Sequence, residues 1–585
     1  MPRELLSGNE AVARGAWEAG VAAGVGYPGT PSTETLENLV KMPGAYAEWA
    51  PNEKVALEVG AGVSLSGRRA LVTMKHVGLN VAADPLFTLA YTGVEGGLVI
   101  LVADDPGMHS SQNEQDTRNY GAFARVPVLE PSDSTEALEF TKLAFEISER
   151  FDTPVIVRST TRVSHSKSLV ETGGAREERE TGEYAGKAAK YVMMPGNARA
   201  RRVELDRRVG QIAAWAEEWA GIREVHGDSS LGILVSGAGF QYVREALPEA
   251  SVLKLGMTFP LPEERIRAFA ASVERLAVVE EADTYLKTRV RALGIAVEDV
   301  ALPPRGELSV GAVAAVFGAA APEMREPFGD LPARPPLMCP GCPHRGLFHV
   351  LRKLKAIVMG DIGCYTLASL PPLTAMDTCV CMGASIGMAH GMTLAGAEHG
   401  RPVVGVIGDS TFSHSGITGL LDLAYNKGTA TVVVLDNRIT AMTGHQDNPM
   451  TGRTLAGEPT VELDLPAMCA AFGITDVRTV DPHDLTGTEA AFRERFAAEG
   501  PGVVISRAPC ALLVRDKKQP YAVDAELCTA CGACIKLGCP AISRGEDSKA
   551  EIDVSLCVGC RQCVQVCRYD AIVEAGEACE VRGSR

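Results

Sequence analysis

The residues best suited to chemistry are cysteines. The chain has sixteen among its 585 residues, and nine of them crowd between Cys528 and Cys579. There, Cys528, Cys531, Cys534 and Cys539 form one run with spacings x2, x2 and x4; Cys557, Cys560, Cys563 and Cys567 form a second with x2, x2 and x3. Three thiolates so close in sequence can wrap one face of an inorganic core, with a remote fourth completing it. Successive x2 spacings suit a cubane iron-sulfur cluster better than the competing reading, a pair of structural zinc sites. Gly532, Ala533 and Gly559 are small enough for the chain to fold tightly around such a core.

A second constellation lies upstream. Val403 to Ile407 reads as a buried strand, Gly408-Asp409-Ser410 opens a helix expected to run through Tyr425, and Thr431 to Leu435 reads as the next strand, closed by Asp436-Asn437. A carboxylate and an amide at adjacent strand ends can converge on one hard cation, while the helix N-terminus between them offers N–H groups to a phosphate. Magnesium diphosphate is held in this way, with Asp409 and Asn437 as ligands and the Ile439 carbonyl as a third. A generic strand-turn-helix with capping Asp and Ser would not need the Asn437 segment.

The elements that must position these groups are those of an α/β protein. Val12 to Gly24 reads as helix, Ala70 to Met74 and Leu98 to Val102 as strands, Leu138 to Arg150 as helix and Pro154 to Val157 as strand. Residues Glu171 to Arg208 look like a charged linker with a surface helix. A new α/β unit begins at Leu231, with strands at Leu231 to Ser236, Val252 to Leu255 and Leu276 to Glu280 and a helix at Gln241 to Leu247. A Pro-rich break from Pro322 to Pro336 precedes a third unit. The expected domains are 1–190, 198–325, 335–515 and 520–585, the first three with parallel sheets and the last a small α+β cysteine domain.

The formal net charge of −16 argues against nucleic acid or an anionic membrane as partner. The longest apolar stretch, around Leu98 to Ala103, is too short to span a membrane, and the N-terminus lacks an apolar run of signal-peptide length, so a cytoplasmic location is expected.

The doubled cysteine run is very nearly the pattern of two-cluster bacterial ferredoxins, in which the fourth cysteine of each run serves the other cluster. That resemblance implies one [4Fe-4S] cluster on Cys528, Cys531, Cys534 and Cys567, and another on Cys557, Cys560, Cys563 and Cys539. The x4 spacing before Cys539, and Arg568 in place of a second proline, alter turns and leave the ligands intact.

Gly408-Asp409-Ser410 and Asp436-Asn437, followed by Met442-Thr443-Gly444-His445-Gln446, resemble the diphosphate-binding domain of the 2-oxoacid:ferredoxin oxidoreductase superfamily. Ser410, Met338-Cys339-Pro340-Gly341-Cys342-Pro343-His344-Arg345 and Asp361-Ile362-Gly363-Cys364-Tyr365 resemble its indolepyruvate-oxidising branch. Tyr27-Pro28-Gly29-Thr30-Pro31-Ser32-Thr33-Glu34 is similar to the superfamily's substrate-side turn, and Asn52-Glu53-Lys54 to its pyrimidine-binding segment. The unit from Leu231 to Val316 looks like a transketolase C-terminal-type domain.

The resemblance implies thiamine diphosphate with Mg2+, and makes Glu53 the acid that donates to N1′ of the aminopyrimidine; judged alone, Glu53 would be a solvated helix cap. Thr30 and His76 become candidates to meet the 2-oxoacid, although His76 reads equally as a core histidine. Cys339, Cys342, Cys364 and Cys510 resemble the ligands of a third [4Fe-4S] cluster near thiamine, against the alternative that they bind zinc or simply pack; Cys379, Cys381, Cys469 and Cys579 stay unassigned. The implied reaction converts an arylpyruvate, coenzyme A and oxidised ferredoxin into an aryl-acetyl-CoA, carbon dioxide and reduced ferredoxin, with a small β subunit in an α2β2 assembly. Alternatives are another oxoacid such as phenylglyoxylate or a branched-chain acid, a plain electron-transfer subunit, or a non-oxidative decarboxylase.

Overall fold

The computed structural model describes residues 2–177, 186–320, 331–332, 335–396, 400–515 and 518–576, so Cys579 and most of the Pro-rich break lie outside the described residues. The chain divides into two compact units, Met1–Gly329 and Asp330–Arg585.

In the first unit a seven-stranded sheet runs Met257–Phe259, Val128–Leu129, Val155–Thr160, Leu98–Asp104, Ala70–Lys75, Ala23–Gly26, Ala47–Trp49. All neighbours are parallel except Met257–Phe259, which pairs antiparallel with Val128–Leu129. The inner strands are continuous apolar runs because helices cover both faces, as parallel sheets require. Met257–Phe259 comes from the following α/β segment, whose own four-stranded sheet runs Leu276–Val279, Asp228–Ser236, Ala250–Leu255, Arg223–Val225. That segment therefore lends an edge strand to the first sheet.

Two sequence expectations need correction here. The helix read as Val12 to Gly24 is Gly8–Glu18, and Ala23–Gly26 is a strand. Its small apolar residues suit either state, and parallel pairing with Ala70–Lys75 and Ala47–Trp49 decides the matter. A 22-residue helix, Pro195–Ala216, begins in the supposed linker and runs past its end, burying Leu205, Arg208, Ile212 and Ala216. It docks largely through arginines: Arg201 Nε donates to the Tyr91 carbonyl at 2.8 Å and Arg208 Nη1 to the Ala90 carbonyl at 3.2 Å. An apolar stripe is therefore hard to see in its sequence.

In the second unit a six-stranded, wholly parallel sheet runs Thr378–Cys379, Ile357–Gly360, Val403–Gly408, Thr431–Asp436, Gly502–Arg507, Asp476–Val480. The helix expected through Tyr425 reaches it, but is interrupted by a π-helical turn at Phe412–Gly416. After this sheet comes a small domain of two antiparallel strand pairs, Tyr521–Val523 with Ile572–Glu574 and Ile542–Arg544 with Ala550–Ile552. Each cysteine run lies between strands of these pairs. No described helix is long and apolar enough to cross a membrane.

Candidate active site and cluster cavities

Strands Val403–Gly408 and Thr431–Asp436 are parallel neighbours, so Asp409 and Asn437, each just past a C-terminal end, emerge side by side. Asp409 is 2% exposed; its Oδ1 accepts from the Ser410 N–H at 2.6 Å and its Oδ2 from the Arg438 N–H at 2.9 Å. Burial, with the Asp436 carboxylate adding to it, pushes Asp409 up to about 7. A buried carboxyl met only by main-chain donors is the environment a divalent cation relieves, so this donor set fits magnesium. Asn437 Oδ1 accepts from the Ile439 N–H at 3.3 Å, and its Nδ2 lies 3.4 Å from His344 Nε2. Burial drives His344 down to about 4.

The loop carrying Cys364 is tied to the same turn. Tyr365 hydroxyl donates to the Ile362 carbonyl at 3.1 Å and accepts from the Gly408 N–H at 2.9 Å, while Thr411 Oγ1 donates to that same carbonyl at 3.1 Å. Asp361 clamps the loop by accepting N–H bonds from Ile362, Gly383 and Ser385 at 2.9, 2.9 and 3.1 Å. The sequence reading quoted Asp361 and Tyr365 but assigned them no role; their signal lay in the polar residues that follow strand Ile357–Gly360.

Cys339, Cys342, Cys364 and Cys510 come together. Burial pushes Cys342 up to about 12, and the neighbouring Cys364 and Cys339 sulfurs contribute; burial likewise raises Cys364, followed by Cys510 and Cys339. Cys510 N–H donates to the Asn437 carbonyl at 3.0 Å, so this sulfur set adjoins the strand end that bears the candidate magnesium ligand.

Two further hollows occur in the cysteine domain. One is lined by Cys528, Cys531, Cys534 and Cys567. The other is lined by Cys539, Cys557, Cys560 and Cys563, together with Pro340, Gly341 and Arg345. The sorting of the fourth cysteines is the crossed one that the spacing resembles. Among the described residues no three His, Cys, Asp or Glu side chains converge as ligands of a single ion do. Four thiols lining each hollow, three of them from one x2-x2 run, fit a [4Fe-4S] core. The extra residue before Cys539 lies in a tight turn, Ile535–Leu537, with Gly538 left-handed at φ 70°; Arg568 is exposed. Cys469 is buried in the apolar core, and Cys379 and Cys381 are exposed.

In the first unit, Tyr27–Thr30, Lys75–Gly78 and Asp104–Ser111 follow the C-terminal ends of three adjacent strands, where α/β sheets bind ligands. Glu53 opens helix Glu53–Leu65, which Asn52 caps by accepting from the Val55 N–H at 2.9 Å. Glu53 is 5% exposed and packs against Gly78. It is therefore not the solvated cap its position alone suggests. His76 Nε2 lies 3.2 Å from the Asn113 carbonyl, and its buried Nδ1 has no hydrogen-bond partner among the described residues. Thr30 accepts through its carbonyl from Ser110 Oγ at 3.3 Å. Lys75, absent from the sequence-based candidates, donates to the Ser110 carbonyl at 2.7 Å, and burial lowers it to about 8. A lysine closing an otherwise apolar strand was its available signal.

Comparison with known proteins agrees with this division of labour. Residues 361–506 match the family model "Thiamine pyrophosphate enzyme, C-terminal TPP binding domain", and residues 521–568 match "4Fe-4S dicluster domain". The chain is similar to indolepyruvate oxidoreductase subunit IorA of Thermococcus kodakarensis, with 42% identity covering 97% of this chain and 96% of the relative. The subunit of the same name from Archaeoglobus fulgidus is 40% identical over 92% of each. Among solved structures, 2-oxoglutarate:ferredoxin oxidoreductase from Magnetococcus marinus overlaps 50% of this chain and 60% of its own, with 17% identity and a TM-score of 0.42.

Proposed function

The chain belongs to the family of indolepyruvate oxidoreductase IorA subunits, and from that premise we propose that it oxidatively decarboxylates an arylpyruvate, indole-3-pyruvate, with coenzyme A to an aryl-acetyl-CoA. It is a 2-oxoacid:ferredoxin oxidoreductase that uses thiamine diphosphate and [4Fe-4S] clusters, and it works with a partner subunit. The finer reading includes Mg2+, a third [4Fe-4S] cluster on Cys339, Cys342, Cys364 and Cys510, an α2β2 assembly with a small β subunit, and ferredoxin as acceptor.

Thiamine diphosphate, when bound, supplies the electron sink that lets carbon dioxide leave, and the clusters accept the resulting electrons singly. Asp409, Asn437 and the Ile439 carbonyl would hold the magnesium. Glu53, buried against Gly78, would serve as the acid for the aminopyrimidine nitrogen. His76 and Thr30 orient the oxoacid, with the unpartnered His76 Nδ1 as the group that meets it. The thiol set at Cys510 would hold a cluster beside that strand end, and the hollow that Pro340, Gly341 and Arg345 share with Cys560 would hold another.

The observation that carries this reading is the 3.0 Å bond from Cys510 N–H to the Asn437 carbonyl, which joins the diphosphate site to the first thiol set. The test is an anaerobic assay with the partner subunit: oxoacid-dependent viologen reduction should be largest with indolepyruvate and should require coenzyme A. Greater activity on phenylglyoxylate or a branched-chain oxoacid would reassign the substrate; aldehyde release without viologen reduction would overturn the oxidative reading.

A further inference from the structure

Arg345 is a cation buried without a carboxylate. It sits in the first turn of helix Pro343–Lys353 and is 2% exposed. Its Nη2 donates to the carbonyls of Met338 and Cys339 at 2.8 and 3.1 Å; its Nη1 donates to the Leu537 carbonyl at 3.0 Å and also to that of Gly538. Among the described residues these neutral carbonyls are its only hydrogen-bond partners, and its buried Nε has none. Burying a guanidinium away from any counter-charge is costly, so the structure must supply negative charge nearby.

Two thiolate sets flank it. Met338 and Cys339 belong to the loop of Cys339 and Cys342, whereas Leu537 and Gly538 immediately precede Cys539. Arg345 itself lines the hollow of Cys539, Cys557, Cys560 and Cys563. The extra residue in the x4 spacing belongs to the turn that presents the Leu537 and Gly538 carbonyls, so this departure from the usual ferredoxin spacing builds the arginine's seat.

We propose that Arg345 is the shared counter-cation of two iron-sulfur clusters, one held by the Cys339–Cys342 loop and the other by Cys539, Cys557, Cys560 and Cys563. It acts as a positioning residue. Each electron passed along adds one negative charge to the accepting cluster and removes one from the donor, with no proton needed; a fixed cation between the two raises both potentials and offsets that change. Arg345 does not line the hollow of Cys528, Cys531, Cys534 and Cys567. The inference rests on the third cluster assigned under Proposed function.

The test is potentiometry followed by electron paramagnetic resonance on the full chain with its partner subunit, prepared anaerobically, with iron and sulfide analysis. In Arg345→Gln, two midpoint potentials should move negative while the third holds; in Arg345→Lys, which keeps the charge, all should stay near wild type. Intact clusters with unmoved potentials in Arg345→Gln would overturn the proposal, as would equal shifts in both variants. If Arg345→Gln loses iron, retention in Arg345→Lys supports the role of charge, and loss in both overturns it. Should the wild-type protein contain iron for only two clusters, the third-cluster reading fails separately, and only the potential of the cluster at Cys560 should respond to Arg345→Gln.

Discussion

The carboxyl of Glu53 lies against the bare Cα of Gly78: a Cβ built on Gly78 would stand 2.4 Å from Glu53 Oε1 and 2.6 Å from its Cγ. Gly78 is in the helix His76–Val81 that follows strand Ala70–Lys75, and Glu53 opens a different helix, so the contact joins the candidate acid to the candidate substrate segment. Gly78→Ala should therefore displace Glu53 and lower oxoacid-dependent viologen reduction by about 100-fold, as small misplacements of catalytic groups do. Iron content should not change. Gly62→Ala, on the helix that Glu53 opens, is the control, because a Cβ there meets nothing within 4 Å. Equal rates for the two variants would remove Glu53 from the mechanism.

Asp409→Ala should weaken magnesium-dependent binding of thiamine diphosphate by at least about 10-fold while leaving cluster iron in place, since Asp409 touches the diphosphate strand end and none of the hollows in the cysteine domain. Cofactor titration followed by protein fluorescence, at several magnesium concentrations, reads this directly. Unchanged affinity would mean that the buried carboxyl serves the turn alone.

Cys510→Ser should remove the iron of one cluster and spare the two in the C-terminal domain, because Cys510 groups with Cys339, Cys342 and Cys364 and lines neither C-terminal hollow. Reduction of the remaining clusters by oxoacid should slow by orders of magnitude, whereas reduction by dithionite should persist. Full iron retention would return Cys510 to the role of a packed thiol.

Lys75 makes stability depend on pH in the alkaline range. Burial holds it at about 8 in the folded chain against 10.5 for an exposed lysine. Between those values the unfolded chain binds the proton and the folded chain does not, so stability rises with pH across that window and is lost as pH falls toward 8. The gain is at most about 3 kcal/mol. Anaerobic urea unfolding between pH 8 and 10.5 should show the slope in the wild type and a flatter line in Lys75→Met.

Much of the site was legible as spacing. The eight terminal cysteines, and Asp409 and Asn437, carry their chemistry in residue type and local separation, and parallel strands buried on both faces announce themselves as apolar runs. Lys75, His344 and Arg345 were not legible as site residues. Their interest comes from burial and from partners distant in sequence, such as the Leu537 carbonyl for Arg345, and no periodicity reports that. The helix Pro195–Ala216 was half visible, because arginines that reach main-chain carbonyls leave no apolar stripe.

By itself the sequence determined which atoms are available for catalysis and electron transfer: thiols in two tight runs, a carboxylate and an amide at strand ends, and a glutamate at a helix start. Local spacing suffices there because a few residues of chain limit how far apart the ligands can stand. Only the tertiary structure decided that Cys510 adjoins Asn437, that Glu53 is pressed against Gly78, and that a buried arginine stands between two sets of sulfurs. Those relationships depend on strand order and on the packing of distant segments, where burial turns ordinary charges into strong ones.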